Sequence, residues 1–406
     1  MPHPCGGRDH KGRGKPRPYA VMEEGEPMTR RMTALLLTAL MLALSGCGSL
    51  LDRDYRSVSR HISHTSDTAD TSALRAETYS GLVNDVQFFV SMGMEEGVVR
   101  LYRYSGDVER DLKTVCQELL TRDPLCAWAL EDIQWSHSRI VSYDECVFSF
   151  SYRVDPARIP TIHNTVGTPA IRELLEAVLI QYDDSLLLQT STYYASSDLL
   201  LNLTQEAYYA QPGSALGYPN VSVSIYPPDS SGSQHLVEIR LNYPLSRSRL
   251  LEQSQRVAAQ AATMVGTSPA QGQVGYWLLY SRMAELDSYD PDGSASVYNA
   301  LVDGGADSQG MALAYQYLCD QAGLTCLTVQ GTLDGSPHWW NFVQAEDTWH
   351  HVDVTAGMSQ EDFLFSDSTA ELRYTWDAEN YPECPDAEEA GSGNETAEGA
   401  QDSDLT

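Results

Sequence analysis

The sequence predicts an α+β protein of several domains, and three observations predict it. Short strands with alternating apolar residues and amphipathic helices follow one another from residue 81 to residue 265. Their order recurs with an offset of 89 residues, which sets Val98 against Leu187 and Phe148 against Val237. A third segment, Tyr289 to Thr355, carries chemistry-bearing residues in an order of its own. At about 150 residues per domain, 406 residues leave room for two or three domains. A composition of 42% hydrophobic and 20% charged residues supplies a sizeable core.

Residues 1–27 fit neither a signal nor a fold and read as an over-long start, with Met28 as the true first residue. Arg30 and Arg31 then precede an apolar stretch, Met32 to Leu44, too short to span a bilayer. Leu44-Ser45-Gly46-Cys47 closes it with small residues, so 28–46 reads as a secretory signal peptide. That ending resembles a bacterial lipoprotein box. The resemblance implies that Cys47 is acylated, with palmitate-type chains, and becomes the mature N-terminus. The expected location is the extracytoplasmic face of a cell membrane, at the cell surface, with the membrane itself as a partner through the lipid. Cleavage leaves 19 basic against 52 acidic residues, a net charge of −33. Such a charge argues against nucleic acid as a partner, because a phosphate-binding surface needs excess Lys and Arg.

Residues 47–80 read as the lipidated cysteine and a polar linker, in which His61 and His64 are solvated. Residues 81–182 form the first α+β module. Val98 to Tyr102 is a strand, and Asp107 caps a helix with Val108, Leu112, Val115 and Leu119 on one stripe. Strands Ile133 to His137 and Val147 to Tyr152 follow. A helix capped by Thr168, with Pro169 first and Ile171, Leu174, Leu175 and Val178 as its stripe, closes the module. Residues 183–265 repeat the order: strand Leu186 to Gln189, helix Asp198 to Tyr209, strands Val221 to Tyr226 and Leu236 to Leu241, and helix Leu245 to Met264. The two modules read as duplicated units that share one sheet. Neither carries a phosphate loop or a metal cluster. Tyr193, Tyr194, Tyr208 and Tyr209 are either a binding face or half-buried packing residues. The tail, 386–406, has seven acidic residues and no Lys or Arg and is expected to be disordered.

Six cysteines besides Cys47 remain in the mature chain: Cys116, Cys126, Cys146, Cys319, Cys326 and Cys384. Their even number permits three disulfides outside the cytoplasm, and buried free thiols are the alternative. No pair has the spacing of a zinc site, so no metal and no cofactor are expected.

The third domain, 266–385, carries the site. Gly304-Gly305 is a turn, Asp307-Ser308-Gln309-Gly310 opens an amphipathic helix through Leu313, Tyr317 and Leu318, and Thr325 to Gln330 is a strand. His338-Trp339-Trp340-Asn341 and Trp349-His350-His351-Val352-Asp353-Val354-Thr355 follow. The order suggests a nucleophile at a helix N-terminus, a histidine on one strand as its base, and an acid on the next to fix the tautomer. These motifs resemble the transglutaminase-like domain of bacterial secreted proteins, which has a papain-like fold. The resemblance runs from about Gln271 to Cys384 through D-S-Q-G-M-A, V-Q-G, H-W-W-N and W-H-H-V-D-V-T. It implies that His338 is the catalytic histidine, Asp353 the catalytic acid, and Trp340 and Asn341 the pair that shapes the site, with Trp339 in the groove where the family has a small residue.

One position departs from the family: Ser308 stands where it has its catalytic cysteine. A thiol of pKa about 8.5 becomes a thiolate beside a helix N-terminus and an imidazolium. A serine hydroxyl does not, and needs a neutral histidine in well-set geometry. Cys319 lies roughly 16 Å further along the helix at about 1.5 Å per residue, too far to replace it. Three readings follow. The domain binds an extracellular peptide or cell-wall ligand in a relic groove; or Ser308, His338 and Asp353 form an active hydrolase or acyl transferase; or the domain is a purely structural surface module.

Overall fold

The computed structural model describes residues 73–228, 232–267, 269–355 and 363–386. The over-long start, the signal, Cys47, His61, His64 and the acidic tail beyond Asp386 lie outside the described residues. Those described fold as a mixed α/β structure with three separate sheets, so the two modules do not share one.

The first module contains β1 (Ala73–Ala76), α1 (Tyr79–Ser91), β2 (Glu96–Leu101), α2 (Val108–Arg122), a short α3 (Pro124–Ala129), β3 (Leu130–Ile140) and β4 (Tyr143–Tyr152). Its sheet runs β1-β2-β4-β3, with β1 parallel to β2 and the other pairs antiparallel. Asp107 caps α2 by accepting from the Arg110 N–H at 3.1 Å, and Glu109 and Asp111 favour the same end of the helix dipole. The linker expected to reach residue 80 ends sooner. β1 is a sheet strand, and Thr78 caps α1, whose Leu82, Val86, Phe89 and Val90 are buried at helical spacing.

The second module contains β5 (His163–Asn164), α4 (Thr168–Gln181), β6 (Ser185–Ser191), α5 (Ser197–Tyr209), β7 (Asn220–Tyr226) and β8 (Gln234–Asn242). Its sheet runs β5-β6-β8-β7 with the same strand senses as the first. Val98 and Leu187 occupy the corresponding strands β2 and β6, and Phe148 and Val237 the corresponding β4 and β8. The division at residue 182 is displaced. α4 packs Ile171, Leu175 and Leu179 into one cluster with Leu186, Leu188 and Val237, so it belongs to the second sheet. Its cap residue is Gly167, and Thr168 lies inside the helix.

The helix expected from Leu245 starts at Arg247, because Ser246 turns the chain and accepts from the Arg249 N–H. This α6 (Arg247–Val265) lies against the third domain rather than closing the second sheet. The third domain continues with α7 (Gly272–Glu285), β9 (Tyr289–Ser294), α8 (Ser308–Ala322), β10 (Cys326–Leu333), β11 (Ser336–Ala345), β12 (Thr348–Val352), β13 (Phe363–Phe365), α9 (Asp367–Ala370) and β14 (Tyr374–Trp376). Its antiparallel sheet runs β13-β12-β11-β10-β14. α8 is more than an amphipathic surface helix: Met311 to Tyr315, Leu318, Cys319 and Ala322 are buried around most of its circumference. It runs between the sheet on one side and α6 and α7 on the other, which holds its N-terminus at a fixed place.

The packing explains why β8 reads as almost continuously buried. Val237 and Ile239 face the helices of their own module, whereas Leu236, with Leu187, enters the core of the first module. The core of the second module runs on without a break into the third domain. The six described cysteines are all unpaired and buried. Burial pushes the Cys116 and Cys146 thiols up to about 12, which suits inert packing residues. Among the described residues no helix is long and apolar enough to cross a membrane.

Candidate active site

Gly304 and Gly305, at φ 83° and 71°, make the turn before α8. Asp307 then caps the helix, its carboxylate accepting from the Gly310 N–H at 2.9 Å. Ser308 is therefore the first helical residue, half-buried at the positive end of the helix. Gly310 lets β9 approach: a Cβ there would stand 2.8 Å from the Ser294 carbonyl oxygen. Burial raises the Asp307 carboxyl above its usual range, against its hydrogen bonds to the helix N–H groups.

β11 and β12 bring the other two residues together. His338 lies on β11 and Asp353 just beyond β12, and the antiparallel pairing of the strands closes the 15-residue separation. His338 Nε2 and Asp353 Oδ2 are 2.8 Å apart, with both side chains almost wholly buried. Asp353 Oδ2 also accepts from the Tyr374 hydroxyl at 2.8 Å. Its Oδ1 accepts from the Thr355 N–H at 2.9 Å and the Thr355 hydroxyl at 2.7 Å. Burial alone would raise this carboxyl, but the hydrogen bonds from His338 and Thr355 outweigh it and hold it below the ordinary value. An ionised Asp353 places the His338 proton on Nε2 and leaves the lone pair on Nδ1.

Ser308 comes close to this pair without joining it. Its Oγ accepts from the Trp339 backbone N–H at 3.3 Å, one residue after the histidine. Among the described residues no hydrogen bond links Ser308 to His338. The Trp339 ring turns outward against Tyr209 of α5, 5.1 Å between centroids. The Gln309 amide reaches the same tyrosine's hydroxyl at 3.4 Å. Asn341 is buried and ties β11 to α8 through the Ala312 carbonyl at 2.9 Å. Trp340 is fully buried, its ring stacked 6.3 Å from His338 on one side and 6.3 Å from His351 on the other.

Three supporting residues were given no role by the sequence. Thr355 lies two residues after Asp353, a spacing that favours local hydrogen bonding back to the carboxylate. Tyr374 arrives on β14 from the far edge of the sheet, and nothing near it in sequence marks it. Tyr289 sits close enough to Asp353 and Asp307 for both carboxylates to add to the effect of burial in raising its hydroxyl.

His351, Asp367 and Cys384 place a nitrogen, an oxygen and a sulfur within 4.8 Å of one another. Their chemistry does not fit a metal. His351 Nδ1 accepts from the Trp340 indole N–H at 2.9 Å, so Nε2 carries the proton and donates it to Asp367 Oδ1 at 2.7 Å. The other Asp367 oxygen takes the Cys384 N–H at 2.8 Å, and burial holds the Cys384 thiol protonated. The cluster is a lock between β12, α9 and the segment that carries Cys384.

No protein-family model matches this sequence, and no curated protein does. Solved structures similar to this chain include these three. A transglutaminase is 8% identical with a TM-score of 0.25 over 58% of this chain and 66% of that one. A candidate cysteine protease from Cytophaga hutchinsonii is 9% identical with a TM-score of 0.24 over 36% of this chain and 65% of that one. A candidate protease from Parabacteroides distasonis is 9% identical with a TM-score of 0.19 over 55% of this chain and 51% of that one. The chain thus spans less than two thirds of each, and at these scores the likenesses say nothing of what it does.

Proposed function

We propose that this protein is a lipid-anchored binding protein of the extracytoplasmic face. Its third domain, of transglutaminase-like type, keeps the His–Asp frame and holds a cell-wall or extracellular ligand in the groove beside it without turning it over. The observation that carries the reading is the position of Ser308. Its oxygen accepts from the Trp339 N–H, it has no hydrogen bond to His338 among the described residues, and a serine hydroxyl does not ionise on its own. The anchor rests on the L-S-G-C sequence at Cys47. A second reading, a Ser-His-Asp hydrolase acting on amide bonds, draws on the support of Asp353 by Thr355 and Tyr374 as well as His338.

Replacing Ser308 by the family's residue tests whether the frame survives. The Ser308→Cys thiol is expected to react with iodoacetamide with a pH midpoint below the roughly 8.5 of a free thiol. The six buried thiols, several raised to about 12 or beyond, contribute little background. A midpoint at or above the free-thiol value means that the frame does not act on position 308, and leaves the domain a structural module.

A further inference from the structure

A cavity of about 710 Å³ opens between α5 of the second module and β10 and β11 of the third domain. We propose that it is a carbohydrate-binding cleft and that its ligand is a neutral oligosaccharide. This names the ligand class of the groove and rests on the binding reading above.

The cleft is tied to the serine through Trp339. Trp339 forms part of its wall, and the backbone N–H of the same residue holds Ser308 Oγ. Tyr209 lies across from it, against the Trp339 ring and bonded to Gln309 beside Ser308. With Tyr381, these make three aromatic rings on one cleft. Such rings offer large apolar faces at low cost in conformational freedom, and the C–H face of a pyranose is their natural partner.

Between the rings stand side-chain amides with hydrogen-bonding capacity to spare. Gln205 and Gln330 are exposed and make no side-chain hydrogen bond among the described residues. Gln316 spends its oxygen on the Thr328 hydroxyl at 2.6 Å and keeps its amide hydrogens. An amide presents a donor and an acceptor in one plane, the geometry that matches two neighbouring sugar hydroxyls. Only two residues of the lining are charged. The lining holds one acid, Glu206, and one base, Arg172, whose guanidinium is bonded to Glu176 at 3.1 Å. In a chain of net charge −30 this cleft is close to neutral, and it suits neither a polyanion nor a polycation. The aliphatic lining is limited to Leu327 and Ala210, with no apolar pocket of the kind that reads alternate side chains of a bound peptide.

The test is calorimetric titration of the purified chain with two neutral tetrasaccharides, chitotetraose and cellotetraose, and with a glutamine-containing peptide of similar length. Saturable binding of a tetrasaccharide is expected. The double variant Gln205→Ala/Gln330→Ala changes only exposed side chains and is expected to weaken binding about tenfold or more, with Trp339→Ala weakening it at least as much. Heat from neither sugar, binding of the peptide alone, or sugar binding that survives the double variant and Trp339→Ala overturns the proposal. Failure of the ligand class is distinguishable from failure of the binding reading. The latter falls if Ser308 proves to be an activated nucleophile, whichever ligand the cleft takes.

Discussion

Trp340→Ala is expected to cost the third domain about 3–5 kcal/mol, read as the shift in its chemical-denaturation midpoint. The indole is fully buried and fills the space between the two imidazoles, with Tyr374 5.0 Å away on another side. Its removal leaves a cavity where the sheet, β14 and the His338–Asp353 pair meet. It also strips the buried His351 Nδ1 of its hydrogen-bond donor, an unpaired acceptor that alone costs about 1–3 kcal/mol. Trp340→Phe separates the two terms, since it keeps most of the ring and loses only the N–H. A loss below about 1 kcal/mol for the alanine variant would mean that the stack does not hold the frame in place.

Acid is expected to destabilise the same region, and His351 is the group responsible. Burial lowers its pKa to about 4, although the hydrogen bond to Asp367 works the other way. The unfolded chain takes up the proton near pH 6.5, well before the fold does. Stability from this residue is therefore complete above about pH 6.5 and is lost as the pH falls toward 4, by roughly 3 kcal/mol in all. Asp353 adds a later loss. Its depressed carboxyl contributes above its unfolded value and gives that up only as the pH drops through its lower folded value. Asp85 and Asp320 act in the opposite sense. Burial raises them to about 7 and about 6, so the fold binds their protons first and gains stability as the pH falls through those values. The informative quantity is thus the difference in pH dependence between the parent and His351→Gln. A steeper fall in the parent between pH 6.5 and 4.5 is expected; parallel curves would assign the acid sensitivity elsewhere.

The site was legible where its signals are local. Ser308 follows a capping aspartate and precedes a glycine, so its place at the head of a helix is written in four consecutive residues. His338 and Asp353 lie on neighbouring strands of one antiparallel sheet, where a separation of 15 residues is enough to pair them. Tyr374 and Tyr209 were out of reach for the opposite reason. They arrive from 21 residues beyond Asp353 and from a different module, carried by tertiary packing that no periodicity encodes. Tyr209 stood among four tyrosines that read more readily as packing than as a binding face, and only the placement of α5 beside Trp339 separates it from the rest. The repeat shows the same limit. The 89-residue offset matches β2 with β6 and β4 with β8, yet the boundary was misplaced. β5 has only two residues, too short for any alternation to mark it as the first strand of its sheet. β1 and the α1 cap lie where a polar stretch from Asp52 onward reads as linker, and four strand residues do not outweigh it.

The central claim is that the frame is present and the proton path to Ser308 is not. It is tested most directly by treating the purified mature chain with a serine-directed fluorophosphonate and locating any adduct by mass spectrometry, with Ser308→Ala as control. Ser308 is partly exposed at the head of α8. The expected result is no adduct at Ser308. An adduct there that disappears in Ser308→Ala would contradict the account, because it requires His338 to accept the serine proton.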